Sequence, residues 1–199
     1  MVSETYRLFI AIELPPAPST LRPALQSTLK ALQQAVPANT VKWVQPDNMH
    51  LTLKFLGDVS IRQISAIESG LQAAVAGHSP FSVEVANLGC FPNFSRPNVL
   101  WIGLNSPNNH LRRLRDSIEH QIAPLGYPTE DREFSPHLTL GRVKRDLAKP
   151  IIGKIGQAAQ GINIGKLGDW PCESVRLMRS DLRPEGPLYT CIAEKRLNS

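Results

Sequence analysis

Hydrophobic residues recur along this chain with two different periods, and the switches between them predict an alternating order of strands and helices. Residues 6–14 alternate with period two, which places Leu8 and Ile10 on one face of a strand and Arg7 and Phe9 on the other. The elements predicted for the first half are a strand at 6–14, a helix at 21–36, a short strand at 41–44, a strand that starts at His50, a helix after Ser60 and a strand at 81–88.

The second half repeats this order. Its predicted elements are a strand at 99–104, a helix capped by Ser106, a strand that starts at His137, a glycine-interrupted helix at 151–160, a strand at 162–167 and a terminal hairpin of strands at 175–182 and 188–197. Strand, helix, strand, helix and strand therefore occur twice, which predicts an α+β fold with two pseudo-symmetric lobes. We treat residues 1–199 as a single two-lobed domain, in which the strands at His50 and His137 face each other across a groove.

These two strands begin with the same tetrapeptide, His-Leu-Thr-Leu, at positions 87 residues apart. In the first copy, strict alternation places Leu51, Leu53 and Phe55 on one face and His50, Thr52 and Lys54 on the other. The same parity in the second copy separates its histidine and threonine from its two leucines. Each strand is thus expected to bury leucines and to present an imidazole next to a hydroxyl.

The paired residues suit acid and base catalysis on an anionic substrate. Histidine is ordinarily half-protonated near pH 6.5, so one of His50 and His137 can accept a proton while the other donates one. The hydroxyls of Thr52 and Thr139 can donate hydrogen bonds to an anionic oxygen, which favours phosphate chemistry. The two copies alone do not say which histidine is the acid.

Composition is compatible with this interpretation. The chain has 199 residues, of which 42% are hydrophobic and 20% charged, with 22 Lys and Arg against 17 Asp and Glu and a pI near 9.3. A net charge of +5 favours a small anionic partner over wrapping by nucleic acid. Three widely spaced cysteines are expected to be reduced thiols, and no secretory leader or apolar run of membrane-spanning length is apparent. We therefore expect a cytoplasmic protein, with no membrane association.

Four segments carry a resemblance to a known family: RLFIAIELP near the amino terminus, HLTLKFLG, FPNFSRPNVLWIGL and FSPHLTLGR. Together they resemble the two-histidine phosphoesterase superfamily, and more narrowly the bacterial RNA 2',3'-cyclic phosphodiesterases, also called 2'-5' RNA ligases. The resemblance extends from Arg7 to about Leu197. It implies two lobes of antiparallel sheet with outer helices and a central catalytic groove.

The resemblance also implies a reaction and its residues. Hydrolysis of an RNA 2',3'-cyclic phosphate would leave a 2'-phosphomonoester, with His50 as proton donor to O3' and His137 as proton acceptor. Thr52, Thr139 and Arg142 would hold the non-bridging oxygens. The reverse step with an RNA 5'-hydroxyl would form a 2'-5' linkage.

Two predicted substrate contacts depend on local geometry. Arg142 lies five residues after His137, so it reaches the groove only if a bulge or the strand end interrupts the alternation. Phe9, opposite the aliphatic face of its strand, could stack on a nucleobase or belong to the core. The aromatic and basic loop at 90–97 is either a second nucleotide contact or a cover for the sheet edge.

No cofactor is expected. A catalytic zinc site usually has a third protein ligand, which neither motif strand supplies, and no segment has the spacing of an ATP-binding phosphate loop. The expected partners are RNA ends or nucleotides that carry a 2',3'-cyclic phosphate, bound by a monomer. Two alternatives remain open: a phosphodiesterase of small cyclic nucleotides, and an RNA-end binding module without turnover.

Overall fold

The computed structural model describes residues 4–16, 19–184 and 186–198 of the chain. Its strands and helices are β1 (Thr5–Glu13), α1 (Leu21–Ala35), β2 (Val41–Trp43), β3 (His50–Ser60), α2 (Ile64–Val75), β4 (Phe81–Phe91), β5 (Val99–Asn105), α3 (His110–Ile122), β6 (His137–Val143), α4 (Lys149–Gly161), β7 (Lys166–Cys172), β8 (Ser174–Arg183) and β9 (Gly186–Arg196).

The strands form two antiparallel sheets. The first sheet has the order β3-β1-β8-β9 and the second has the order β2-β6-β5-β4-β7. Helices α2 and α3 pack on the first sheet, against β9 and β3, and helices α1 and α4 pack on the second, against β7 and β4. This arrangement confirms the predicted α+β class with two antiparallel lobes and outer helices.

Each sheet combines strands from both halves of the sequence. Strand β4 belongs to the first half but pairs with β5 in the second sheet, whereas the hairpin β8–β9 returns from the carboxyl end to pair with β1. Strand β2 likewise crosses to pair with β6. The two halves are therefore interlocked, which favours a single unit over two independent domains.

One hydrophobic core connects both sheets with their helices. It contains the periodic faces predicted from the sequence, including Leu25 and Leu32 of α1 and Leu114 and Ile118 of α3. A second, small cluster lies on the opposite face of the first sheet and consists of Phe9, Ala11 and Met178 with Tyr189 packed against it. This small cluster matters because it lies beneath the first histidine.

Two predicted boundaries are wrong. The strand predicted at 162–167 lies at 166–172, where it carries Pro171 and buries Trp170. Proline is acceptable there because β7 is an edge strand, so the missing amide hydrogen faces away from the ladder. Helix α3 starts at His110, several residues after Ser106, because Asn108 and Asn109 adopt left-handed φ angles of 58° and 57°.

Candidate active site

Each motif histidine makes the same type of hydrogen bond to the backbone two residues before it. The Nδ1 atom of His50 lies 2.9 Å from the carbonyl oxygen of Asn48, and the Nδ1 atom of His137 lies 2.7 Å from that of Ser135. A carbonyl can only accept, so Nδ1 carries the proton in both rings and Nε2 is left to exchange protons with a substrate. The tetrapeptide and the carbonyl two residues before its histidine thus form one structural unit that occurs twice.

The surroundings of both imidazoles favour the neutral form. Burial lowers the pKa of His50 below its ordinary value, and the hydrogen bond to the Asn48 carbonyl partly offsets this effect. Burial also lowers the pKa of His137, where the Ser135 carbonyl opposes the shift and the Arg142 guanidinium adds to it. A nearby anionic ligand would therefore stabilise the protonated form of either ring.

A β-bulge lies at the last residue of the tetrapeptide in both motif strands. In β6, Leu100 pairs with Gly141 and Trp101 with Thr139, so Leu140 has no partner on β5. The extra residue shifts the alternation and returns Arg142 to the face of His137, where its charge acts on that imidazole. The bulge therefore explains how Arg142, five residues after His137, can lie on the same face as that histidine.

The corresponding bulge in β3 makes part of the predicted alternation wrong. Ile10 pairs with Lys54 and Ala11 with Thr52, so Leu53 is the extra residue. Lys54, predicted on the histidine face, is instead 1% exposed on the core side, and Phe55, predicted on the leucine face, is 61% exposed. Phe55 thus occupies in β3 the position that Arg142 occupies in β6, five residues after the histidine.

Aromatic rings surround His50. Phe9 packs against the imidazole with ring centroids 4.8 Å apart, and Tyr189 meets it edge-on at 5.0 Å with an interplanar angle of 90°. Phe9 is 3% exposed, so its ring offers almost no surface to a nucleobase. This burial argues against direct stacking by Phe9, and the accessible aromatic surface on this side belongs to Phe55, whose ring centroid lies 6.4 Å from that of Phe9.

His137 has an aromatic environment of its own. Phe91 meets it edge-on at 4.9 Å, and Trp101 lies 6.2 Å away. The Trp101 indole covers Gly89 so closely that a Cβ atom at that glycine would come within 2.2 Å of the ring. Only a glycine at position 89 leaves room for this indole, so the backbone of β4 helps to position Trp101 beside His137.

The loop at 90–97 contacts His137 through one residue, and the other histidines of the chain lie elsewhere. Of the loop at 90–97, Phe91 contacts His137, while the Arg96 backbone amide donates to the Asn93 side chain within the loop. The other three histidines of the chain, His78, His110 and His120, lie in or beside the helices α2 and α3 that cover the first sheet.

The two motif strands, β3 and β6, contact each other. The charge of Arg142 on β6 reaches the phenol of Tyr189 on β9, which Arg7 on β1 also influences. Sequence reasoning missed Tyr189, Trp101 and Phe55 as aromatic residues near the two motif histidines. Within residues 4–16, 19–184 and 186–198, no group of three or more His, Cys, Asp or Glu side chains is arranged to hold a metal ion. No helix in the described part of the chain is long and apolar enough to cross a membrane.

Comparison with known proteins agrees with this geometry. The family model described as LigT like Phosphoesterase matches twice, at residues 14–101 and 102–189, so that each match contains one histidine motif. The chain is 34% identical over 188 residues to an RNA 2',3'-cyclic phosphodiesterase of Methanothermobacter thermautotrophicus, a match that covers 92% of this chain and 95% of that protein. A homologue of the same name from Archaeoglobus fulgidus is 33% identical over 183 residues, covering 92% and 96%.

Solved structures share the whole architecture. A crystal structure of a Thermus thermophilus protein superposes with a TM-score of 0.77 at 27% identity and covers 96% of this chain and 97% of that one. The crystal structure of Escherichia coli LigT complexed with 3'-AMP gives a TM-score of 0.74 at 25% identity, with 98% and 100% covered. Since the family model matches both halves and the relatives match over most of their length, this chain belongs to the LigT-like phosphoesterase family.

Proposed function

We propose that this protein hydrolyses the 2',3'-cyclic phosphate at RNA ends and leaves a 2'-phosphomonoester. The observation that carries the proposal is the repeated unit of an imidazole with its Nδ1 proton fixed on a carbonyl, present once on β3 and once on β6. Two such units provide an acid and a base on opposite sides of one phosphorus atom. The names of the relatives from Methanothermobacter and Archaeoglobus support the same substrate.

The proposed chemistry is a single displacement at phosphorus. Neutral His137 accepts a proton from water through Nε2 while the water oxygen bonds to phosphorus. The bond from phosphorus to O3' breaks, and protonated His50 donates its Nε2 proton to that oxygen. Thr52, Thr139 and Arg142 hold the non-bridging oxygens, where negative charge grows in the transition state. Proton exchange with solvent then restores both histidines.

The nucleoside is proposed to lie on the His50 side of the groove. Phe55 exposes 61% of its surface there, and a free aromatic face stacks on any base. Stacking contributes about 1–3 kcal/mol per base and is nearly independent of base identity, so little sequence preference is expected at the terminal nucleotide. This role replaces the one that the sequence suggested for Phe9.

Three extensions belong to the same proposal. With an RNA 5'-hydroxyl in place of water, attack on the cyclic phosphate with cleavage of the P–O3' bond would form a 2'-5' linkage without ATP. The protein is proposed to act as a monomer, because its sequence carries both histidine motifs and Arg142, the residues that the proposed reaction needs. Its free cysteines, Cys90, Cys172 and Cys191, favour a reducing compartment such as the cytoplasm.

A substrate comparison tests the proposal against its two alternatives. The purified protein is incubated, with excess EDTA and without ATP, with oligonucleotides that end in a 2',3'-cyclic phosphate and with small cyclic nucleotides. We expect oligonucleotide opening to a 2'-phosphate at a rate that chelation leaves unchanged. Preference for small cyclic nucleotides would favour the metabolite phosphodiesterase, and binding without turnover would favour the RNA-end module. Loss of activity in EDTA with recovery in zinc or magnesium would contradict the metal-independent mechanism.

Arg142 is expected to contribute through the shape of its guanidinium as well as its charge. Arg142→Lys keeps the charge but loses the planar fork that can donate two parallel hydrogen bonds to phosphate, so kcat/KM should fall roughly tenfold. Arg142→Ala should reduce it by about 100-fold, as expected when a donor to a developing oxyanion is removed. Steady-state kinetics measure both. The matched control is Arg145→Ala, an exposed arginine beyond β6 that should leave the rate unchanged; full activity in Arg142→Ala would remove this residue from the site.

The lowered pKa values of both histidines predict an acidic optimum. In the free protein one histidine must be protonated and the other neutral, and burial places both pKa values below the ordinary 6.5. The plot of kcat/KM against pH should therefore be bell-shaped with its maximum below pH 6.5, falling about tenfold per pH unit on the alkaline side. The apparent pKa values of the two limbs belong to the histidine pair as a whole and not to either residue alone. Because Arg142 lowers the pKa of His137, Arg142→Ala should shift the profile to higher pH. A maximum above pH 7.5 would contradict this assignment.

A further inference from the structure

The terminal hairpin places Tyr189 beside His50. This residue lies on β9, opposite Ser180 of β8, and its ring meets His50 edge-on at 5.0 Å and Phe9 at 5.2 Å with an interplanar angle of 73°. The ring is therefore held by two contacts that differ in direction. These contacts constrain the ring on two sides and so limit where its hydroxyl can lie.

The hydroxyl of Tyr189 lies in the field of two guanidinium groups. Burial raises the pKa of the phenol, while Arg142 from the second sheet and Arg7 from β1 oppose that shift. The phenol consequently remains protonated throughout the neutral range and presents an O–H donor. Arg142 also lowers the pKa of His137, and its strand β6 contacts β3, the strand that carries His50.

We propose that Tyr189 is a catalytic residue whose hydroxyl donates a hydrogen bond to a phosphate oxygen beside Arg142, while its ring holds His50 in orientation. The inference rests on the proposed function, because the phosphate it contacts is that of the cyclic diester. It gives the hairpin β8–β9 a chemical role in addition to completing the first sheet. The hairpin supplies a donor that neither histidine motif contains.

Tyr189→Phe isolates the hydroxyl because it keeps the ring and its contacts with His50 and Phe9. We expect kcat/KM for a cyclic-phosphate-ended oligonucleotide to fall about 100-fold, the lower end of the loss expected when one donor to a developing oxyanion is removed. Affinity for a nucleoside 2'-monophosphate, measured by calorimetry, should fall about tenfold, since a hydrogen bond to a charged group is lost. Circular dichroism should be unchanged.

Two further variants separate the hydroxyl from the ring. Tyr6→Phe is the matched control: Tyr6 lies on β1, packs against Arg179 at 3.9 Å and donates to Glu4, so its loss should leave turnover unchanged. Tyr189→Ala should lose more activity than Tyr189→Phe and should also move the pH profile upward, because His50 would lose part of its desolvation. Should the alanine variant fail to fold, the phenylalanine variant alone decides.

The outcomes distinguish this inference from the proposed function. Unchanged kcat/KM and unchanged nucleotide affinity in Tyr189→Phe, with an active wild-type protein, would overturn the role of the hydroxyl and leave the function intact. A wild-type protein that does not open cyclic phosphates would overturn the function. In that case calorimetry with the nucleoside 2'-monophosphate still decides whether the hydroxyl contacts a phosphate, because weaker binding by Tyr189→Phe supports the contact and equal binding refutes it.

Discussion

His50→Ala and His137→Ala should each reduce opening of a 2',3'-cyclic phosphate by at least about 100-fold and by up to about 10,000-fold, the usual contribution of a positioned general acid or base. Both imidazoles have Nδ1 committed to a backbone carbonyl, so Nε2 is the proton-exchanging atom in each, and no other histidine motif replaces it. Single-turnover kinetics at the wild-type pH optimum measure the loss.

The double variant is informative because acid and base act in one step. Removing the second histidine should cost much less than removing the first, since groups that act as a unit are strongly non-additive. His120→Ala, an exposed histidine on α3, is the matched control and should retain full activity. If either single variant kept near wild-type turnover while folded, the paired-histidine mechanism would be incorrect.

The proposed catalytic pair can be recognised in the sequence because its signal is local and duplicated. A tetrapeptide with strand alternation is enough to place His50 and Thr52 on one face, and the repeat at His137 reveals a second site with the same geometry. The carbonyl partners of both histidines also lie two residues away, so the repeated unit is local in the chain. These features need no tertiary information.

The bulges could not be predicted from the same pattern. Strict alternation is a property of a regular ladder, and a bulge depends on how the partner strand aligns, which only the folded sheet determines. The extra residue in β3 exchanged the faces of Lys54 and Phe55, and the extra residue in β6 brought Arg142 to the histidine face. The offset of five residues from His137 showed that Arg142 would need a bulge to reach the histidine face, but the sequence did not show whether the bulge exists.

Contacts between residues far apart in the sequence could not be predicted from the local pattern either. Tyr189 meets His50 across 139 positions of sequence because the terminal hairpin pairs with β1. Nothing in the local pattern around Tyr189 distinguishes it from an ordinary strand aromatic. The close packing of Trp101 on Gly89 is another such contact, since a glycine in a strand indicates a close approach without naming its partner.

The misplaced residue Lys54 belongs to a buried ion pair that ties the first motif strand to the second half of the chain. Its Nζ atom bonds the Glu119 carboxylate of α3 and the Pro128 carbonyl, the latter at 2.8 Å, and the two charged side chains are 1% and 4% exposed. Arg115 pairs with the same carboxylate at 3.2 Å. The loop after α3 leads to β6, so this network connects the bulge of one motif with the approach to the other.

Glu119→Leu should lower the free energy of unfolding by about 3–5 kcal/mol, because it leaves the ammonium of Lys54 buried without its carboxylate. Replacing both partners, as Lys54→Met with Glu119→Leu, should recover much of this loss, since apolar side chains of similar size need no compensating charge. Urea denaturation followed by circular dichroism measures all three proteins.

The exposed pair of Arg22 and Asp47 provides the contrast. These side chains lie 3.1 Å apart with Asp47 95% exposed, so Asp47→Asn should change stability by only about 0–1 kcal/mol. Equal stability of Glu119→Leu and Asp47→Asn would show that the buried pair contributes no more than a surface one. If Glu119→Leu remains folded, its activity also tests the stacking surface, because Lys54 lies between the bulge and Phe55. Weaker binding of the nucleoside with an unchanged pH dependence would place the defect at Phe55 and not at the histidines.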